Sequence, residues 1–173
     1  TPKKRTGWQF FKFLFKPQQS YLQFLAERAK TATWVTGVCT GTILMAAAGL
    51  SRIHIGMETG SDKVLTRIKK GVDKKTQIIA GKKVKLAGME LSEYIMPGLG
   101  GRALSAEHAL ESADALNQIN PDFIRLRTLA IPNHVELYEE YQKEDFQKLN
   151  DVEIARELLV FIVTLDGITS TVK

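Results

Sequence analysis

Residues 51–129 read SRIHIGMETGSDKVLTRIKKGVDKKTQIIAGKKVKLAGMELSEYIMPGLGGRALSAEHALESADALNQINPDFIRLRTL, and along them short β-prone runs alternate with helical patterns. Arg52–Met57 is a strand pattern, rich in β-branched and apolar residues. A short helix over Asp62–Lys70 follows, stopped by Gly71, and then a longer one over Lys75–Ala87, stopped by Gly88. The longer helix is expected to turn Ala80, Val84 and Ala87 inward and a lysine-rich face to solvent. Leu91–Met96 is the next strand, closed by Pro97 and Gly98. Ser105 is expected to cap a helix with Ala109, Ala113 and Leu116 inward, broken at Asn120-Pro121. Asp122–Leu129 is a further strand. Strand, helix, strand, helix, strand is the order of parallel βα units, so the fold class is α/β: a partial parallel (βα) barrel, or an open parallel sheet of about four strands covered by helices.

Two expectations follow from that order. The three strands neighbour one another sequentially through right-handed crossovers. Glu58, Gly98 and Arg127 then lie along one rim, at the carboxyl ends of their strands, where parallel sheets bind ligands.

Downstream, Pro132–Leu149 is charged and aromatic, a loop with a helical part. Asn150, with Glu153 three residues later, has the spacing of a capping box for a last helix over Asp151–Leu165. Upstream, Tyr21–Lys30 has helical spacing. Thr33–Val38 is β-prone and is expected to join the same sheet, and Thr42–Ala48 fits a buried helix. The chain thus divides into a basic aromatic segment (1–20), a strand–elbow–helix piece (21–50) and the βα piece (51–173).

Charge is uneven. Residues 1–30 hold seven basic residues against one Glu, net +6, and the remaining residues hold 17 basic and 18 acidic, net −1. A nucleic-acid-binding surface on the body is therefore not implied. Within Trp8–Lys16, residues Gln9, Lys12 and Lys16 make a polar stripe among five aromatics and Leu14. That pattern suits either a helix on a membrane surface or one packed against a core or partner. No apolar run approaches the roughly 20 residues of a membrane span.

The single cysteine, Cys39, excludes an intramolecular disulfide and fits a reducing, cytoplasmic setting. One thiolate cannot by itself hold a structural zinc or an iron–sulfur cluster. Cys39 sits in Gly37-Val38-Cys39-Thr40-Gly41, the spacing of a nucleophile elbow with cysteine in the nucleophile position. Such a turn would place the sulfur at a helix N-terminus, on the same rim, where the helix dipole favours thiolate and hence catalysis by Cys39. The run WVTGVCTGTILMAAAGL (residues 34–50), within 21–50, resembles the elbow of the ThiJ/PfpI family, nearest its isocyanide-hydratase branch. That resemblance implies a cysteine-dependent hydrolase or hydratase. It also demands an acidic partner upstream, and the acid found there is Glu27, on a helical pattern.

The stretch from Arg52 to Leu129 resembles the later strands of radical S-adenosylmethionine enzymes of the coproporphyrinogen-oxidase and elongator-type family, with weaker likeness through LDGITSTV near the C-terminus. The resemblance implies a barrel of the TIM type. It also implies an S-adenosylmethionine site formed by Glu58, Gly60 and Ser61 after the first strand, Gly98, Leu99 and Gly100 after the second, and Arg125 and Arg127 on the third. An intact relative would use a four-iron four-sulfur cluster to cleave the cofactor reductively to a 5′-deoxyadenosyl radical. The family's CxxxCxxC motif is missing here. The expectation is therefore a truncated barrel, joined near Leu50/Ser51 to an unlike piece as in a fused or rearranged gene. It would bind S-adenosylmethionine weakly, without cluster chemistry. The rival expectations are the Cys39 enzyme and a non-catalytic binding or assembly module, the latter associating through open sheet edges or through residues 8–16 on a membrane.

Overall fold

The computed structural model describes residues 51–173 together with Gln23, Phe24 and Glu27. The chain separates into two compact units, Thr1–Ile53 and His54–Lys173, and the second carries nearly all that follows. The readings made for residues 1–20, for the strand Thr33–Val38 and for the Cys39 elbow lie outside the described residues.

Strand β1 (Arg52–Glu58) leads into helices α1 (Asp62–Arg67) and α2 (Lys74–Leu86). Strand β2 (Glu90–Ile95), helix α3 (Gly101–Ile119) and strand β3 (Phe123–Leu126) follow, then α4 (Glu136–Gln142), α5 (Asp151–Thr164) and a two-residue strand β4 (Thr171–Val172). The strands form one sheet in the order β1-β2-β3-β4. Pairing is parallel, with Tyr94 opposite Arg125 and Ile124 opposite Val172. The fold is therefore α/β with an open parallel sheet of four strands.

Local chemistry explains the element ends. Ser61 caps α1 by accepting from Val64 N, and Asp73 caps α2 through Thr76 N at 2.8 Å. At α5 the expected box is complete: Asn150 Oδ1 accepts Glu153 N, and Glu153 Oε2 accepts Asn150 N at 2.8 Å. Asn120 ends α3 in the left-handed region, φ 50°, a conformation that asparagine tolerates better than most residues.

Three sequence expectations are corrected. Helix α3 begins at Gly101, with Gly100 as its cap, so Ser105 lies inside the helix rather than capping it. Its start is fixed from outside, because Arg102 N donates to Gln147 O at 3.0 Å. The inner face of α2 is Ile78, Gly81 and Val84, while Ala80 and Ala87 are exposed. Gly81 decides that rotation: a Cβ there would stand 2.7 Å from Ile119 Cγ2, so glycine lets α3 approach. Third, β4 is the neighbour of β3, in a stretch where no strand was expected. It is tied there by Thr171 N to Asp122 O (2.9 Å), Lys173 N to Ile124 O (2.8 Å) and Asn120 Oδ1 accepting Thr169 N (3.0 Å).

The core has two parts. Ile53, Met57, Leu91, Ile95 and Ile124 on the sheet, with Ala109, Ala113 and Leu116 of α3, are all buried. A second cluster, Val64, Leu99, Leu129 and Phe146, gathers under the loops at the carboxyl end of the sheet. It makes that rim a packed surface that can hold side chains in place.

Candidate functional site

The carboxyl ends of β1, β2 and β3 are bonded in sequence: Met96 N donates to Glu58 O, and Arg127 N to Ile95 O, each at 3.0 Å. Glu58, Gly98 and Arg127 thus follow one rim, as the strand order requires.

Glu58 has φ 66°, a left-handed conformation that costs a non-glycine residue about 1–2 kcal/mol. The cost is met by the fixed surroundings: Glu58 O is held by Met96 N, and Thr59 N donates to Met57 O at 2.8 Å. The reversal brings the Glu58 carboxylate back over Gly56, where a Cβ would sit 2.4 Å from Oε1. Lys70 Nζ reaches the same oxygen at 3.4 Å. Lys70, expected as the last residue of the short helix, lies beyond α1, and its pairing depends on the turn there, where Lys70 N bonds Leu65 O.

Beside Glu58 the sheet presents a half-buried face. His54 and Tyr94 stack obliquely, centroids 6.3 Å apart, and the Arg125 guanidinium lies 5.8 Å over the Tyr94 ring. Arg125 Nε is buried with no hydrogen-bond partner among the described residues. Arg127, two residues on, shares that face by strand alternation and is exposed.

Other expected site residues have their groups occupied. The Ser61 hydroxyl donates to Glu107 Oε1 at 2.7 Å while accepting Val64 N. A Cβ on Gly60 would meet Glu111 O at 2.2 Å, so this glycine admits helix α3 rather than a ligand. Leu99 is 4% exposed within the rim core. Gly98 (φ 87°) faces Ile154, and Gly100 faces the Leu104 carbonyl. The backbone N–H groups of Gly98, Leu99 and Gly101 go to Glu157 Oε1, Met96 O and Gly98 O. The loop Pro97–Gly101 is therefore glycine-rich for its own close packing. Cys39 lies outside the described residues.

Beneath the rim is a buried polar network that the sequence reading missed. His108 and Glu157 are 1% and 4% exposed. His108 Nδ1 is 2.8 Å from Thr59 Oγ1, which also accepts Ser61 N at 3.0 Å. Burial pushes the His108 pKa down to about 4, against the weaker opposing effect of the Met96 carbonyl, so the ring is uncharged near neutrality. Glu157 accepts Gly98 N at 2.6 Å and the Ser105 hydroxyl, and approaches His108 Nε2 at 3.7 Å. Burial raises its pKa, and the Ser105 and Gly98 bonds oppose that rise. Gly60 N donates to Ser112 Oγ at 2.9 Å. One signal was present in the sequence: Ser105, His108 and Ser112 fall on the same helical face as the inward Ala109 and Leu116.

Glu93, on β2, is a second buried carboxyl, 2% exposed, with Oε2 unpartnered among the described residues. Desolvation raises its pKa to about 8; Lys70 opposes this and Glu58 adds to it.

No protein-family profile matches the chain. A curated tRNA uridine(34) acetyltransferase of Methanocaldococcus infernus is 23% identical over 110 residues, covering 63% of this chain and 21% of that protein. The solved structure of the archaeal Methanocaldococcus infernus Elp3 with an N-terminal deletion superposes with a TM-score of 0.59 at 21% identity. It covers 75% of this chain and 30% of that one. The chain shares the fold of part of Elp3. It spans about a fifth of the length of the curated protein. An elongator-type fold agrees with the radical S-adenosylmethionine-type resemblance of residues 51–173. The ThiJ/PfpI resemblance finds no support in these comparisons.

A resident iron–sulfur cluster does not fit this chain. Such clusters are held by several cysteine thiolates, the sequence holds one cysteine, and no group of three potential metal ligands occurs among the described residues. S-adenosylmethionine is compatible with the donors present. Glu58 can accept from hydroxyl or ammonium groups, and the buried Arg125 Nε still has a proton to donate.

Proposed function

We propose that this chain is a segment of a radical S-adenosylmethionine-type barrel whose rim binds S-adenosylmethionine weakly, and that it carries out no cluster chemistry by itself. The supporting observation is Glu58, held in a left-handed turn at the carboxyl end of β1 with its carboxylate folded over Gly56 beside Lys70. Strained, over-determined backbone of this kind collects at ligand sites. The cofactor's ribose hydroxyls and ammonium suit Glu58, its carboxylate suits Lys70, and its adenine suits the face of Tyr94 and Arg125. When bound, S-adenosylmethionine supplies a sulfonium carbon electrophile or radical precursor, and this chain's residues bind and orient it. The joining of an unlike N-terminal piece near Leu50/Ser51 belongs to the same reading, as the outcome of a gene fusion or rearrangement.

Equilibrium dialysis of the full chain against labelled S-adenosylmethionine tests the proposal. Saturable binding is expected, weakened about tenfold or more in Glu58→Ala and in Arg125→Ala, since each removes a charged hydrogen-bonding group. Binding that does not saturate, or that both variants retain, refutes it. Iron and sulfide are measured after anaerobic reconstitution, and a stoichiometric four-iron cluster on the monomer would overturn the second half of the proposal.

A further inference from the structure

Two turns shape the rim, Thr59–Ser61 after β1 and Met96–Gly98 after β2, and each is gripped by side chains from distant helices. Glu157 of α5 takes the Gly98 N–H at 2.6 Å and the Ser105 hydroxyl of α3. His108 of α3 spans the gap, with Nδ1 2.8 Å from Thr59 Oγ1 on one side and Nε2 3.7 Å from Glu157 Oε1 on the other. Met96 N in turn holds Glu58 O at 3.0 Å, and Glu58 is the residue in the unfavourable conformation. Ser112, one helical turn beyond His108, fixes Gly60 N at 2.9 Å.

We propose that Glu157 and His108 are positioning residues that clamp these two turns to one another, and so keep Glu58 in the left-handed conformation in which it meets a ligand. The inference rests on the rim being the binding site. The physical case is that a buried carboxylate and imidazole are costly to place in a core, and these two spend every bond on the backbone or hydroxyls of the rim and of α3. The network links residues 59, 98, 108 and 157, drawn from two turns and two helices, so it fixes tertiary geometry rather than any single element. Fully connected buried polar networks of this kind rigidify what they bind. Neither residue touches the half-buried face that carries Arg125, so each acts through the turns.

The experiment compares Glu157→Leu with Glu157→Gln in the full chain. Glutamine keeps an acceptor for Gly98 N and adds a donor for Ser105, whereas leucine keeps the volume and loses both bonds. Amide hydrogen exchange is read without ligand at Met96 and Gly60, which do not touch Glu157, with β3 amides as the reference for global opening. In Glu157→Leu these two amides should exchange about tenfold faster relative to β3, and S-adenosylmethionine affinity should fall by a similar factor. In Glu157→Gln both should stay within about threefold of wild type. Should the leucine variant fail to fold, His108→Asn, whose shorter side chain draws back from Thr59 and Glu157, carries the same expectation. Unchanged exchange at Met96 and Gly60 in a folded Glu157→Leu or His108→Asn chain overturns the clamp. If the wild-type chain binds no S-adenosylmethionine, the functional reading falls, and the clamp is then decided by the amides alone.

Discussion

Glu93→Gln removes a buried carboxyl whose titration should dominate the pH dependence of stability above pH 5. In the folded chain its pKa is raised from 4.5 to about 8, chiefly because burial disfavours the anion. Below pH 4.5 the carboxyl is protonated in both folded and unfolded chains and imposes no penalty. Between 4.5 and 8 the unfolded chain is ionised while the folded one keeps its proton. Folding there takes up a proton, and stability falls by about 1.36 kcal/mol per pH unit. Across the whole window the loss is about 5 kcal/mol, of which about 4 kcal/mol falls between pH 5 and pH 8. Glutamine does not titrate. It carries its own cost for a buried amide, but that cost is the same at every pH and shifts the curve without tilting it. Urea unfolding of both proteins at pH 5, 6, 7 and 8 gives the difference directly, and the other titrating groups cancel between them. The variant should gain on the wild type by about 4 kcal/mol from pH 5 to pH 8. Parallel stability curves for the two proteins would refute the reasoning, because Glu93 would then be ionised or solvated in the folded state.

His108 tilts stability the other way: its folded pKa is lowered from 6.5 to about 4. Its contribution is intact above pH 6.5 and is lost as pH falls to 4, by about 3 kcal/mol. In His108→Gln that acid-side slope should be missing from the same urea series. Leu99→Ala should destabilise the chain by about 2–5 kcal/mol, because Leu99 is 4% exposed in the rim core. A loss below 1 kcal/mol in thermal or urea unfolding would mean that Leu99 faces solvent or a ligand instead. Glu58→Gly should leave stability within about 1 kcal/mol of wild type, since relief of the left-handed strain offsets the partly exposed pair with Lys70. S-adenosylmethionine binding by dialysis should nonetheless be lost, and a Gly variant that binds as wild type would remove Glu58 from the site.

The sequence by itself determined the run of elements from Arg52 to Leu126. Apolar β-prone runs, helices with one inward face, and stops at Gly71, Gly88 and Asn120 are all local signals, and parallel βα order follows from them with few alternatives. The Asn150–Glu153 box was legible for the same reason, being closed within four residues. The rim positions of Glu58, Gly98 and Arg127 followed from strand direction alone. Only the tertiary structure decided the rest, and in each case the deciding partner is far along the chain. Strand β4 is too short to show a period and exists because β3 and Asn120 hold it. The start of α3 depends on Gln147, and the rotation of α2 on the contact between Gly81 and Ile119. The resemblance implied a cofactor site at the glycines 60, 98 and 100, yet their neighbours are Glu111, Ile154 and Leu104 of the chain itself. The Thr59–His108–Glu157 network joins side chains some 49 residues apart at each step. A one-dimensional pattern carries burial and periodicity. It does not carry which two buried polar groups will meet, because that depends on the summed geometry of every element between them.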